Sequence, residues 1–237
     1  MSEIVLVHGS CHGAWCWRDL EPELGKCGHE VRAIDLPGHG QAPCPIEEVT
    51  LEAYADAVLG AVTRRAIVVG HSMAGFAIAA AAQKAPEKIE RLVFLCAYAP
   101  RNGLSLVEMR MEAPRQPLLA AIEKTADGRG FVFREDRIRD ALYHDCPEGT
   151  VGYAAEHLCV QAIAPQATPI RLGANYEGVR KSYIRCTQDR AIPPEYQETM
   201  TEGWPEEDVY SLPLGHSPFF ADPKGLAALI DRIARRA

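Results

Sequence analysis

The chain has 237 residues, a length that suits one domain carrying a modest insertion. Its 25 basic and 32 acidic residues give a net charge of −7, which argues against nucleic acid as the main partner because phosphate backbones bind basic surfaces. No apolar run approaches the roughly 20 residues that a membrane-spanning helix needs, so no membrane partner is expected. Residues 1–7 place an acidic residue before a short apolar run, which is unlike a secretory signal, and a cytoplasmic protein is expected.

The eight cysteines are spread over the whole chain, and none forms a C-x-x-C pair. Without a secretory signal, free thiols are expected rather than a framework of disulfides. The sequence contains neither an H-E-x-x-H motif nor a cluster of cysteine and histidine at metal-ligand spacing. We therefore expect neither a metal ion nor another cofactor.

The first hundred residues alternate between short apolar runs and segments with helical spacing. The apolar runs predict buried strands, and the alanine-rich segment before Pro86 predicts a helix that ends at this proline. Such alternation is typical of a parallel sheet that is covered by helices on both faces. The predicted strands are 4–7, 31–36, 66–69 and 92–96, and the predicted helices are 51–62 and 75–85.

The pattern changes in the next part of the chain, where proline and charged residues are frequent and strand signals nearly vanish. We interpret residues 105–172 as a small, mainly helical cap that is inserted into a core of residues 1–104 and 173–237. Within the cap, helices are predicted at 118–125, 138–143 and 151–161, and 131–133 has the composition of a short strand. After the cap the core resumes with predicted strands 181–186 and 209–212 and predicted helices 194–201 and 224–235.

The strongest local signal for chemistry is the sequence Gly-His-Ser-Met-Ala-Gly at residues 70–75. It lies between an apolar strand and an alanine-rich helix, which is the context of a nucleophile elbow, and it predicts Ser72 as the nucleophile. The strict G-x-S-x-G pattern would place glycine at 74, whereas this chain has Ala74 followed by Gly75. The alternative interpretation of Ser72 is a helix N-cap, which does not need the flanking glycines.

A serine hydroxyl needs a base to accept its proton, and the base needs an acid to orient it. His216 lies in a loop after the last predicted core strand and is the expected base. Asp189 follows strand 181–186 and is the expected acid, which completes the chain order serine, acid, histidine. Asp208 and Asp222 are weaker candidates, because the first precedes a strand and the second follows the histidine. A loop histidine without a role and a surface turn aspartate remain the alternative interpretations.

An acyl-transfer site also needs N–H donors for the developing oxyanion. The N–H of Met73, the residue after the nucleophile, is one expected donor. The loop after the first core strand supplies the other, for which we favour the N–H of Ser10, whose hydroxyl can also face the pocket. Cys11 is interpreted as a pocket-lining residue rather than as a reactive thiol. Ser217 is also expected to line the substrate pocket.

These segments resemble the plant methyl esterase and hydroxynitrile lyase family, which includes salicylate methyl ester hydrolases and polyneuridine aldehyde esterase. The resemblance rests on His-Gly-Ser-Cys-His-Gly-Ala-Trp-Cys-Trp at 8–17, Cys-Thr-Gln-Asp-Arg-Ala-Ile-Pro at 186–193 and Gly-His-Ser-Pro at 215–218. It covers both core segments, and the cap matches only loosely. It implies an α/β-hydrolase fold with a triad of serine, histidine and aspartate. The Pro-Gly-His-Gly turn at 37–40 is similar to bacterial hydrolases, which suggests a bacterial relative.

The residue after the catalytic histidine separates the two activities of this family. The lyases place a lysine there, which the resemblance implicates in handling cyanide, whereas this chain has Ser217. We therefore expect an esterase that cleaves a small, fairly apolar carboxylic ester through an acyl-enzyme. Cleavage of cyanohydrins and ligand binding on a hydrolase scaffold remain the alternatives. The expected partner is a small-molecule ester, and a homodimer is left open.

Overall fold

Six parallel strands form the central sheet, and a second sheet of three antiparallel strands lies in the cap. The computed structural model describes residues 1–236. In chain order the strands are β1 (Glu3–Val7), β2 (Glu30–Ile34), β3 (Ala66–His71), β4 (Ile89–Leu95), β5 (Ile122–Lys124), β6 (Gly130–Phe133), β7 (Gln161–Ala162), β8 (Arg180–Cys186) and β9 (Val209–Leu212). The central sheet has the strand order β2-β1-β3-β4-β8-β9. Because all six strands are parallel, their carboxyl ends meet at one edge of the sheet, where sites in α/β folds gather.

Helices cover both faces of the central sheet. They are α1 (Leu20–Lys26), α2 (Leu51–Ala61), α3 (Ala74–Lys84), α4 (Leu106–Glu112), α5 (Glu135–Leu142), α6 (Thr150–His157), α7 (Ala164–Ala167), α8 (Ala174–Gly178), α9 (Pro194–Met200), α10 (Pro218–Ala221) and α11 (Pro223–Ala234). The α/β fold class predicted from the sequence is confirmed. The helices within residues 1–236 lack the combination of length and apolar content that a membrane span requires.

The two faces of the sheet bury separate apolar clusters. Successive side chains of a strand point to opposite faces, so the fully buried strand β1 contributes to both clusters. Val5 and Val7 pack with α2 and α3, whereas Ile4 and Leu6 pack with α1 and α11. This arrangement explains why β1, β3 and β4 each contain an uninterrupted apolar run, at 4–7, 66–69 and 92–95, rather than an alternating pattern.

Two of the helices predicted in the cap are partly replaced by strands. The helix predicted at 118–125 is a 3-10 turn at Pro117–Ala121 that leads into β5, and the helix predicted at 151–161 ends at His157, before β7. Both changes allow antiparallel pairing with β6, which joins β5 on one side and β7 on the other. Strand pairing joins residues that are far apart in sequence, and here it outweighs the helical spacing of the local sequence. The division of the chain at 104/105 and 172/173 stays a prediction.

The start of α3 packs closely against the chain that follows β4. A Cβ atom at Gly75 would collide with the carbonyl oxygen of Tyr98, a backbone atom that cannot rotate away. Ala74 is fully buried and fits at its own position. The chain therefore tolerates alanine where the strict elbow pattern has glycine and needs glycine one residue later.

We expect Gly75→Ala to destabilise the fold by about 1–3 kcal/mol, because the added methyl overpacks this contact. Gly60, near the end of α2, is the matched control, since a Cβ there would meet no atom within 4 Å. Gly60→Ala should instead stabilise the fold by about 0.5–1 kcal/mol, because alanine is the better helix former. Urea unfolding measures the change in the free energy of unfolding for each variant. Equal changes in the two variants would show that the contact with Tyr98 does not determine the effect at Gly75.

Four buried histidines surround the carboxyl ends of β1 and β3. Burial lowers the pKa of His8 and of His71 well below the ordinary value of 6.5, and it also lowers that of His39. For His12, burial lowers the pKa to about 4, even though its hydrogen bond to the Ser10 carbonyl acts in the opposite direction. The folded chain therefore holds these rings neutral at pH values where the unfolded chain protonates them.

Stability should consequently fall as the pH drops from about 6.5 towards about 4. In that range the unfolded chain binds more protons than the folded chain, and each unit of pKa difference corresponds to about 1.4 kcal/mol. We expect the Tm to decrease over this range, and His12→Gln to make the decrease shallower while lowering the Tm at pH 7.5. Differential scanning fluorimetry at a series of pH values tests this, and an unchanged slope in the variant would contradict it.

Candidate active site

Ser72 lies at the turn between β3 and α3, at the carboxyl edge of the sheet. Its φ of 55° falls in the left-handed region, which costs a non-glycine residue on the order of 1–3 kcal/mol. Two hydrogen bonds hold the turn: the Ser72 N–H donates to the Leu95 carbonyl at 3.3 Å, and the Ser72 carbonyl accepts from the Tyr98 N–H at 3.1 Å. The side chain thus projects from the sheet edge, although only 7% of the residue is exposed.

The structure brings the three predicted triad residues together in one hydrogen-bonded chain. The Nε2 atom of His216 lies 3.0 Å from the Oγ atom of Ser72, and its Nδ1 atom lies 2.8 Å from Oδ2 of Asp189. Because a carboxylate only accepts, Nδ1 carries the proton, and Nε2 of the neutral ring is free to accept the serine proton. His216 and Asp189 are both buried, so this chain of contacts is shielded from water.

Asp189 is held by three donors besides the histidine. Its Oδ1 atom accepts from the N–H groups of Ala191 at 2.7 Å and Ile192 at 2.9 Å. Its Oδ2 atom also accepts from Nε2 of Gln197 at 2.9 Å, and the other end of that amide accepts from the Cys186 N–H. These contacts fix the carboxylate against rotation. Sequence reasoning missed Gln197, because a glutamine in α9 shows no motif that links it to a loop eight residues earlier.

The backbone around His216 is held from two sides. Nε2 of His71 donates to the His216 carbonyl at 2.8 Å, and burial keeps the His71 ring neutral by lowering its pKa. Oδ2 of Asp145, a cap residue, accepts from the Gly215 N–H at 2.6 Å. Neither His71 nor Asp145 is predicted from the sequence to have a role in the site. Both position the histidine loop, and neither belongs to a recognisable pattern.

The two predicted oxyanion donors lie beside the nucleophile. Gly9 passes so close that a Cβ atom there would lie 3.0 Å from the Cβ of Ser72, which places the next residue, Ser10, at the serine. Within residues 1–236, no acceptor faces the N–H of Ser10 or that of Met73. The next two N–H groups of the loop are satisfied, because Cys11 donates to Oε1 of Gln161 and His12 donates to the Gly9 carbonyl. The loop therefore leaves the Ser10 N–H available.

The two residues predicted to line the pocket are both covered. The thiol of Cys11 lies 3.7 Å from the Phe131 carbonyl of cap strand β6, and burial raises its pKa well above the ordinary range. Ser217 follows the triad histidine, and its buried hydroxyl has no partner in the described chain. The hydroxyl of Ser10 accepts from Nε2 of Gln166 in α7 at 2.9 Å. A role for Cys11 or Ser217 in binding substrate stays a prediction.

A group of three side chains next to the triad has the composition of a metal site. His71, Cys96 and His216 each offer a ligand atom, and these atoms lie within 4.8 Å of one another. Every one is engaged otherwise: His71 Nε2 and the Cys96 thiol contact the His216 carbonyl, and the His216 ring bonds Ser72 and Asp189. A metal ion would have to break these contacts, so the donor set fits a hydrogen-bonded triad better than a metal.

Comparison with known proteins places this geometry in a family. A model described as "Alpha/beta hydrolase family" matches residues 4–229. Methylesterase 3 of Arabidopsis thaliana is 30% identical over 252 residues, which cover 98% of this chain and 96% of that protein. Putative methylesterase 11, chloroplastic, of the same plant is 33% identical over 250 residues. The match covers 99% of this chain and 64% of that longer relative.

A solved structure extends the likeness to three dimensions. The crystal structure of a pyrethroid hydrolase from Sphingobium faniae JZ-2 is 28% identical and superimposes with a TM-score of 0.88, covering 99% of this chain and 97% of that one. The resemblance to methyl esterases and the enzyme class predicted from the sequence are confirmed by these matches. The chain therefore belongs to the alpha/beta hydrolase family, as a carboxylic ester hydrolase related to the plant methylesterases.

Proposed function

We propose that the protein hydrolyses a small, fairly apolar carboxylic ester through an acyl-enzyme on Ser72. The observation that carries the proposal is the unbroken chain of contacts from Asp189 to His216 to Ser72, at 2.8 and 3.0 Å. Both distances lie within hydrogen-bond reach, as the transfer of the serine proton to an oriented His216 requires.

In the first half of the reaction, Oγ of Ser72 attacks the ester carbonyl carbon while Nε2 of His216 takes the serine proton. The carbonyl oxygen becomes an oxyanion and accepts from the N–H groups of Ser10 and Met73. The Asp189 carboxylate stabilises the imidazolium that forms and keeps its ring oriented. The tetrahedral intermediate collapses, the bond to the alkoxy group breaks, and Nε2–H donates its proton to the leaving alcohol.

In the second half, a water molecule replaces the alcohol. His216 accepts one proton of the water as its oxygen attacks the acyl carbon, and the same two N–H groups bind the second oxyanion. Collapse breaks the bond to Ser72 Oγ, which receives the proton back from His216. The products are a carboxylic acid and an alcohol, with one water consumed and no cofactor required.

The substrate class follows from the enclosure of the nucleophile and from the relatives. Only 7% of Ser72 is exposed, and the cap covers the loops around it, which favours a compact ester over a long-chain lipid. The similar proteins include methylesterases, so we propose a methyl ester as the substrate, with methoxide as the leaving group that is released as methanol. The cap, residues 105–172, would then set the choice of acyl group.

Cyanohydrin cleavage is the nearest competing reaction, and it uses the same three residues for acid–base chemistry. The chain has Ser217 where the resemblance implies a lysine for that reaction, so no cation follows His216 in the sequence. A cyanide leaving group would lack its expected partner. Ester hydrolysis needs no such charge.

We expect Ser72→Ala to lower kcat by about 10³-fold or more, because the acyl-enzyme no longer forms. Ser211, an exposed serine on the edge strand β9, provides the control, and Ser211→Ala should hydrolyse esters at the wild-type rate. Both variants should keep the wild-type Tm within a few degrees. A Ser72→Ala variant that retains most of the wild-type esterase activity would refute the mechanism.

A substrate panel tests the proposed class. We expect methyl salicylate and the short p-nitrophenyl esters to be cleaved, with kcat/KM decreasing from acetate or butyrate towards octanoate, because a covered site accepts small acyl groups better. Mandelonitrile should release no cyanide above the rate of the Ser72→Ala variant. Serine-dependent cyanide release without ester hydrolysis would instead identify a lyase. Ligand-dependent thermal shifts without any product would identify a binding protein.

A further inference from the structure

The cap contacts consecutive residues of the loop that carries the Ser10 N–H. Nε2 of Gln166 donates to the Ser10 hydroxyl at 2.9 Å, and Oε1 of Gln161 accepts from the Cys11 N–H at 3.3 Å. The Cys11 carbonyl in turn accepts from the Cys159 N–H at 3.0 Å. All three partners lie in the cap, about 150 positions along the chain from the loop they hold. The core alone therefore does not fix this loop.

The peptide group that joins Ser10 to Cys11 is held at both of its polar atoms. Its carbonyl oxygen accepts from Nδ1 of His12 at 2.7 Å, and its N–H donates to Gln161. Cys11 has a φ of 60°, in the left-handed region that residues other than glycine and asparagine rarely adopt. Without a partner for its N–H, this peptide would relax by rotating, because rotation removes the unfavourable φ. The contact with Gln161 opposes that rotation.

The orientation of the Gln161 amide is determined by its neighbours. The Cys11 N–H can only donate, so it must face the amide oxygen, and the Ala162 carbonyl can only accept, so it must face the amide nitrogen at 2.9 Å. The remaining contacts agree, since the oxygen also lies 3.1 Å from Nε2 of His39 and the nitrogen 3.0 Å from the Tyr54 hydroxyl. With four contacts and no exposed surface, the side chain has one orientation.

We propose that Gln161 is a positioning residue for the oxyanion hole: its amide oxygen fixes the Ser10–Cys11 peptide and thereby the direction of the neighbouring Ser10 N–H. This inference rests on the proposed ester hydrolysis. Gln161 does not touch the reacting atoms and acts through the strained loop. Its loss should therefore weaken stabilisation of the oxyanion more than binding of the ground-state ester.

The test replaces Gln161 by leucine, which keeps the apolar bulk and removes the acceptor. We expect kcat to fall by about 10- to 100-fold with KM changed less than about threefold, since a misplaced donor affects the transition state above all. Phosphonylation of Ser72 by a p-nitrophenyl alkylphosphonate, which also builds charge on an oxygen in the hole, should slow by a similar factor. Gln116→Leu is the matched control, because among residues 1–236 this cap glutamine bonds only the cap carbonyls of Met111 and Ala113.

A rescue experiment separates positioning from a merely structural role. Glycine adopts a positive φ without strain, so Cys11→Gly removes the reason why the peptide would rotate. In the Cys11→Gly background, Gln161→Leu should therefore have a smaller effect on kcat. The fold-decrease in kcat should be at least about threefold smaller than the fold-decrease in the wild-type chain. If Gln161→Leu does not fold, Gln161→Met, which is close in volume, is measured in its place.

The outcomes are distinct. A wild-type protein without serine-dependent ester hydrolysis contradicts the proposed function itself. An active wild type in which Gln161→Leu equals Gln116→Leu in kcat and phosphonylation contradicts the positioning role alone. A rise in KM with unchanged kcat, or the same loss of kcat in the Cys11→Gly background, also overturns it, since either result would assign Gln161 to binding or to packing.

Discussion

The site depends on how closely three chain segments approach one another at the carboxyl edge of the sheet. Gly9 passes against Ser72, the start of α3 packs on the Tyr98 carbonyl at Gly75, and the Tyr98 N–H bonds the Ser72 carbonyl. These contacts hold Ser72 in a backbone conformation that a free serine avoids. Because Ser10 directly follows Gly9, the same approach brings Ser10, the proposed source of one oxyanion donor, close to Ser72.

The core and the cap contribute different parts of the chemistry. The core strands place Ser72, His216 and Asp189 within hydrogen-bonding distance, since their loops leave the carboxyl ends of β3, β9 and β8 at the same edge of the sheet. The cap holds the surroundings of these residues, through Asp145 at the histidine loop and Gln161 at the oxyanion loop. Residues within 105–172 therefore support the geometry of the candidate site through these two contacts.

The parallel sheet and the meeting of Ser72, Asp189 and His216 could be predicted from the sequence because their signals are local. A strand, a tight turn with small residues and an alanine-rich helix identify Ser72, and chain order then selects the other two. The start of α4 also carries a local signal in the sequence, the capping box between Ser105 and Glu108. By contrast, β5 and β7 form only by pairing with β6, and Gln197 reaches its carboxylate by folding, so no window of sequence contains that information.

The separation between Cys11 and Gln161 along the chain has a consequence for biosynthesis. The first core strand and its loop leave the ribosome long before the cap, and His216 follows later still. Contacts between such distant positions close late, because the intervening chain must first be ordered. A nascent chain that stops short of the last strand can thus contain its serine in a nearly native turn and still be chemically silent, so reactivity appears only once the whole domain has been synthesised.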